Sequence, residues 1–103
     1  MRMLLKVVVD TEAGNELFRT GKAGEAIDQL AELLKPEAVY STDEDGARSF
    51  FAVIDLTDPS QIPVIVEPLF QQLKAKVTMT PTATLEELKK GVKELARRMP
   101  PQA

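Results

Sequence analysis

Lys35-Pro36-Glu37-Ala38-Val39-Tyr40-Ser41-Thr42-Asp43-Glu44-Asp45-Gly46-Ala47-Arg48-Ser49-Phe50-Phe51-Ala52-Val53-Ile54-Asp55-Leu56-Thr57 reads as a β-hairpin, and this reading decides the fold. Two runs suited to strands, Ala38 to Thr42 and Arg48 to Leu56, flank Asp43-Glu44-Asp45-Gly46. The Asp-Gly pair tolerates the positive φ that a tight hairpin turn demands. Alternation sends Phe50, Ala52, Ile54 and Leu56 to one side of the second run, and Ser49, Phe51, Val53 and Asp55 to the other. Both sides carry large apolar groups, so both faces of this strand need cover.

Upstream of the hairpin, Ala23, Ala26, Ile27, Leu30 and Leu34 recur at helical spacing, and Pro36 stops the pattern, which predicts a helix over Lys22 to Lys35 with one face on a sheet. A shorter helix is expected from Thr11 to Thr20, with Leu17 and Phe18 as its apolar spot and Gly21 as its end. Before it, Met3 to Val9 is aliphatic and β-branched, with Met3, Leu5, Val7 and Val9 on one face and Leu4, Lys6 and Val8 on the other, the pattern of an interior strand. Lys6 and Asp10 interrupt the apolar run, so it does not read as a signal sequence.

Downstream, Asp58-Pro59-Ser60-Gln61 reads as a helix start, with Asp58 as cap, Pro59 at the first helical position and Gln61 closing a capping box. Ile62, Ile65, Val66, Leu69, Phe70 and Leu73 form a long apolar stripe, and Pro63 and Pro68 each remove a backbone donor, which predicts a kink near Pro68. A last strand is expected over Lys76 to Thr80, ended by Pro81. Thr84-Leu85-Glu86-Glu87 then opens a C-terminal helix that runs to about Met99, before Pro100-Pro101. Leu85, Leu88, Val92, Leu95 and Met99 make its narrow seam, suited to docking on another helix or on a partner subunit.

The order strand, helix, strand, strand, helix, strand predicts an α+β fold. It is the ferredoxin-like split βαβ sandwich, a four-stranded antiparallel sheet with helices on one face, plus an extra C-terminal helix. At 103 residues the chain, 1–103, fits a single domain. With Met3, Leu5 and Val7 under the helices, Leu4, Val8, Phe51 and Val53 remain on the open face, a larger apolar patch than a monomer usually leaves exposed. A second copy placed face to face would cover it and make a dimeric α+β barrel. The C-terminal helix folding over the same face is the alternative.

Composition narrows the chemistry. The net charge of −3 offers no general attraction for phosphate backbones, so nucleic acid is not an expected partner. There is no cysteine and no histidine, which removes thiolate catalysis, disulfides, the commonest metal ligand and the usual general base near neutral pH. No metal and no cofactor is expected, no apolar run reaches the roughly 20 residues of a membrane span, and a reducing cytoplasm suits the chain.

Five residues are candidates for ligand binding. Lys6 and Tyr40 on the open face could hold an anion or an oxygen, Asp55 could accept a proton, and Thr78 could join them from the last strand. An ion pair of Lys6 with a carboxylate at the rim of a dimer interface is the structural alternative. Arg48 could take a carboxylate or phosphate in its planar fork, or pair with Asp43 or Asp45. Asn15, Arg19 and Lys22 could form a polar mouth or tether a loop, and Glu67 could be aimed by the kink or lie exposed beside it.

Ala13-Gly14-Asn15, Lys35-Pro36-Glu37-Ala38 with Tyr40, Glu44-Asp45-Gly46 with Arg48, and Asp58-Pro59-Ser60-Gln61-Ile62-Pro63 followed by Glu67-Pro68 are similar to a group of small bacterial proteins of uncharacterised function, some labelled as related to pantothenate synthetase. The resemblance implies the dimeric α+β barrel fold. That superfamily includes cofactor-independent monooxygenases, haem-degrading enzymes, muconolactone isomerases and ligand-sensing domains, and fold does not choose among them. The absence of histidine and tryptophan here removes the usual haem ligand and a common pocket wall.

Two functions of different class follow as expectations. One is a non-enzymatic homodimer, a small binding or interaction module whose barrel is filled mainly by its own side chains. The other is a small cofactor-independent enzyme, monooxygenase- or isomerase-like, acting on a small hydrophobic molecule in the barrel cavity, with Lys6, Tyr40 and Asp55 polarising or deprotonating it.

Overall fold

The first strand in sequence is one of the two interior strands of the sheet. In the computed structural model, which describes residues 1–99, β1 (Arg2–Val8) lies between β3 (Ala47–Asp55) and β4 (Lys76–Pro81), with β2 (Ala38–Glu44) on the outer edge of β3. All pairings are antiparallel, with Leu5 opposite Ala52 and Met79, and Tyr40 opposite Phe51. Helices α1 (Thr11–Arg19), α2 (Ala23–Leu34) and α3 (Gln61–Leu73) fill the crossovers, and α4 (Leu85–Arg98) follows β4. The architecture is α+β with a four-stranded antiparallel sheet and four helices among the described residues, compatible with a ferredoxin-like fold.

The hairpin closes as its sequence requires. Asp45 and Gly46 have φ of +49° and +81°, the pair of positive values of a two-residue type I′ turn, whose twist matches that of the strands it joins. β2 is two residues longer than the expected run because Asp43 and Glu44 stay in the ladder opposite Arg48 and Ala47, and β3 keeps its expected length but starts and ends one residue earlier.

Alternation sets the core. Met3, Leu5 and Val7 of β1 and Ala52 and Ile54 of β3 are buried, and Ile65, Leu69 and Leu73 of α3 pack among them. Leu5, Val7, Ile54 and Leu69 are the largest fully buried side chains. The α3 start differs in detail from the expected one. The Asp58 carboxylate accepts from the Ser60 amide (2.8 Å), the Gln61 side chain accepts from the amides of Thr57 and Asp58, and helix begins at Gln61. Pro63 therefore falls in the first turn, where its missing N–H would have no intrahelical partner anyway. Pro68 lies inside a helix that continues to Leu73.

α1 is capped by Asp10, whose carboxylate accepts from the Ala13 amide (3.1 Å), and Gly21 at φ +74° separates it from α2. α4 has the expected capping box: the Glu87 amide donates to Thr84 Oγ1 (3.1 Å) and the Thr84 amide to Glu87 Oε1 (2.9 Å). Arg2 Nη1 also donates to Glu87 (3.0 Å), tying the first turn of α4 to β1. Beyond that turn α4 leaves the body. Leu85, Leu88, Val92, Leu95 and Met99 are all exposed, and the molecule measures 64 × 30 × 18 Å. Its radius of gyration, 17.6 Å, exceeds the roughly 13 Å of a compact domain of this length. The helix does not fold back over the open face of its own sheet, which corrects that sequence alternative. The expected stop at Pro100-Pro101 lies outside the described residues. No described helix is long and apolar enough to cross a membrane.

Candidate functional site

Register places three of the five candidate residues in one row across the open face. Thr78 of β4 stands opposite Lys6 of β1, Lys6 opposite Phe51 of β3, and Phe51 opposite Tyr40 of β2. Lys6 Nζ is paired with Glu44 Oε2 at 2.9 Å. Because Lys6 aligns with Phe51 and Glu44 with Ala47, this bridge spans β3 above Ser49, which is only 4% exposed and whose hydroxyl has no hydrogen-bond partner. Tyr40 stacks on Phe51 with ring centroids 5.6 Å apart and an interplanar angle of 36°, yet remains 61% exposed.

Asp55 sits apart from this row. It faces Arg2 at the other end of β1 and accepts from the Met1 ammonium group at 3.0 Å. Four strand residues separate it from the Lys6 row, about 13 Å. The open face therefore does not bring Asp55 together with Lys6 and Tyr40 within one protomer. What it presents is Leu4 exposed, with Val8, Phe51 and Val53 half-buried around the Lys6–Glu44 pair.

Arg48 is on the opposite face. The same alternation that buries Ala52 and Ile54 puts Arg48 with Phe50 on the helix side, lining a half-open cavity of about 400 Å³ between α1, α2 and the sheet. The walls are mostly apolar, with Ser41 and Ser49 among them, and Arg48 is the only charged lining residue among the described residues. α2 makes this space. Leu34 reaches the core, but Ala23 and Ala26 are too short to fill the gap between the helix and the β2–β3 edge. Asp43 lies directly opposite Arg48 in the ladder, yet the guanidinium forms no ion pair with it or with any other described residue. It lies instead over the Phe18 ring, 4.9 Å from the centroid.

Gly14 makes that placement possible. It is buried, and a Cβ on it would come within 2.7 Å of Arg48 Nη1, so the bare backbone of α1 lets the guanidinium approach it closely. Sequence reasoning did not single out Gly14 and Phe18 as neighbours of Arg48. Extending the alternation of Phe50, Ala52 and Ile54 backwards by two residues would have assigned Arg48 to the helix face. The distance between α2 and the sheet had no such signal.

Two carboxyls have displaced acidities, and neither belongs to either face. Hydrogen bonds from Thr84, the backbone one foremost, hold Glu87 below the usual glutamate value, and those from Ser60 do the same for Asp58. No group of three or more acidic, histidine or cysteine side chains among the described residues is placed to hold a metal ion. The chain matches no protein-family model and no curated protein.

Proposed function

We propose that the chain is one protomer of a homodimeric binding or interaction module of the cytoplasm, in which two open sheet faces meet as a barrel and each α4 packs on the other subunit. The observation that carries this reading is the exposed seam of α4. A helix of 14 residues with no packed face is marginal in water, because each added hydrogen bond barely offsets the ordering of its residue. Five apolar residues on one stripe are what such a helix uses to gain the missing contacts.

Two further observations support a second copy as the cover. The apolar face around Leu4, Phe51 and Val53 is open on the same molecule. Charge is also divided: α4 carries five Lys or Arg against three Glu, a net of +2, whereas the whole chain is −3 and the remainder therefore −5. A basic arm on one copy and an acidic body on the other attract. The Lys6–Glu44 pair would then sit within the interface, with Tyr40 and Phe51 as its aromatic anchors. The resemblance to dimeric α+β barrel proteins points the same way.

Native mass spectrometry with light scattering tests the reading. A species of twice the chain mass at micromolar concentration is the expected result, and a monomer throughout that range refutes it.

A further inference from the structure

The cavity under α2 has a composition that the assembly does not explain. Its walls are mostly alanine, leucine, phenylalanine and other apolar groups, with Ser41 and Ser49 on the sheet side, while its single charge among the described residues is a guanidinium with no ionic partner among them. That cation is held in place by the Phe18 ring and by its close approach to Gly14. We infer that this cavity binds a small monoanionic molecule with an apolar body, such as a medium-chain or aromatic carboxylate, whose head group takes the Arg48 fork.

Size and charge argue for this class. About 400 Å³ lies in the usual range for small-molecule sites, which are mostly apolar with a few polar groups that fix orientation. The planar fork of arginine matches a carboxylate through two parallel hydrogen bonds. A dianion such as free phosphate would find one cation and no second donor of like strength among the lining residues, and its shape would leave the apolar walls unused. The seam of α4 from a second copy is disfavoured, because it would bring a helix of net charge +2 against an unpaired Arg48. The site lies on the helix side of the sheet and does not depend on dimerisation.

The test is a nuclear magnetic resonance titration of the full chain with octanoate and, in parallel, with 1-octanol, which has the same chain length and no charge. Octanoate is expected to shift the amides of Gly14, Phe18 and Arg48 and to bind about tenfold to a hundredfold more tightly than 1-octanol, the worth of a charge-assisted hydrogen-bonded pair. Arg48→Gln should remove that advantage by weakening octanoate far more than 1-octanol, and Ala26→Phe should abolish binding of both by filling the cavity. Equal affinities for the two probes, no effect of Arg48→Gln, or shifts confined to α4 would overturn the inference. So would tighter octanoate binding by a variant with a weakened α4 seam, since the groove would then be filled by a partner helix. A monomeric protein that still binds octanoate through Arg48 would sink the dimer and keep this site.

Discussion

Replacing Leu88 and Leu95 by alanine should dissolve the proposed dimer without harming the helix proposed to hold it. Alanine has the highest intrinsic helix propensity, so α4 loses nothing locally. The two leucines are 57% and 54% exposed in the protomer, so just over half of each side chain is left for a partner to bury. Each substitution removes three carbons at about 0.8 kcal/mol per buried methylene, and with half of that still to be gained the loss is about 1.3 kcal/mol per leucine. Two leucines in each of two protomers come to about 5 kcal/mol, which weakens association by between three and four decades. Sedimentation equilibrium across a wide concentration range reads this directly, with far-ultraviolet circular dichroism as the check on folding. A double variant that associates as tightly as the parent would show that the seam is not buried. A parent chain that is monomeric with α4 fully helical would refute the argument from helix length as well.

Three other outcomes follow from the fold. Leu69→Ala, at a fully buried position of α3 beside the core strands, should cost about 2–5 kcal/mol in chemical denaturation, since the lost contacts and the cavity add. Gly46→Ala meets no atom within 4 Å, so its cost of about 1 kcal/mol should come from the backbone at φ +81° alone, and an unchanged denaturation midpoint would contradict the type I′ turn. Glu87, lowered from 4.5 by its bonds to Thr84, contributes stability that is fully present above that value and is lost as pH falls through its lower folded value. Thermal melts of α4 should therefore weaken on acidification into that range, and Glu87→Gln should flatten the dependence.

How much of this could be read from the residues differs between the two faces. Strand alternation with period two is a strong signal, and it placed the hairpin, the buried row of Met3, Leu5 and Val7, and the apolar open face where the structure has them. The capping residues Thr84 and Glu87 marked the start of α4 because their chemistry is local. The path of α4 after its first turn is set by what it fails to contact, and no local pattern encodes that. The same limit applies to the cavity. Ala23 and Ala26 read as ordinary members of a helical stripe, and only the height of α2 above the sheet turns their small size into space. Arg48 illustrates both cases: its face follows from alternation, while its choice of Phe18 over Asp43 depends on α1 lying alongside with a glycine at the point of approach.

The central position of β1 also sets an order for folding. Val8 pairs with Ser49 on one side and with Lys76 on the other, so neither neighbour of this strand is close to it in sequence. The hairpin of β2 and β3 needs only its two-residue turn, and hairpins close within about 1–10 μs. Insertion of β1 must wait for closure of the long loop through α1 and α2, which is the step that slows chains rich in non-local contacts. The hairpin is thus the template and β1 the late arrival. Gly46→Ala should accordingly slow folding, whereas Leu5→Val should act mainly by speeding unfolding.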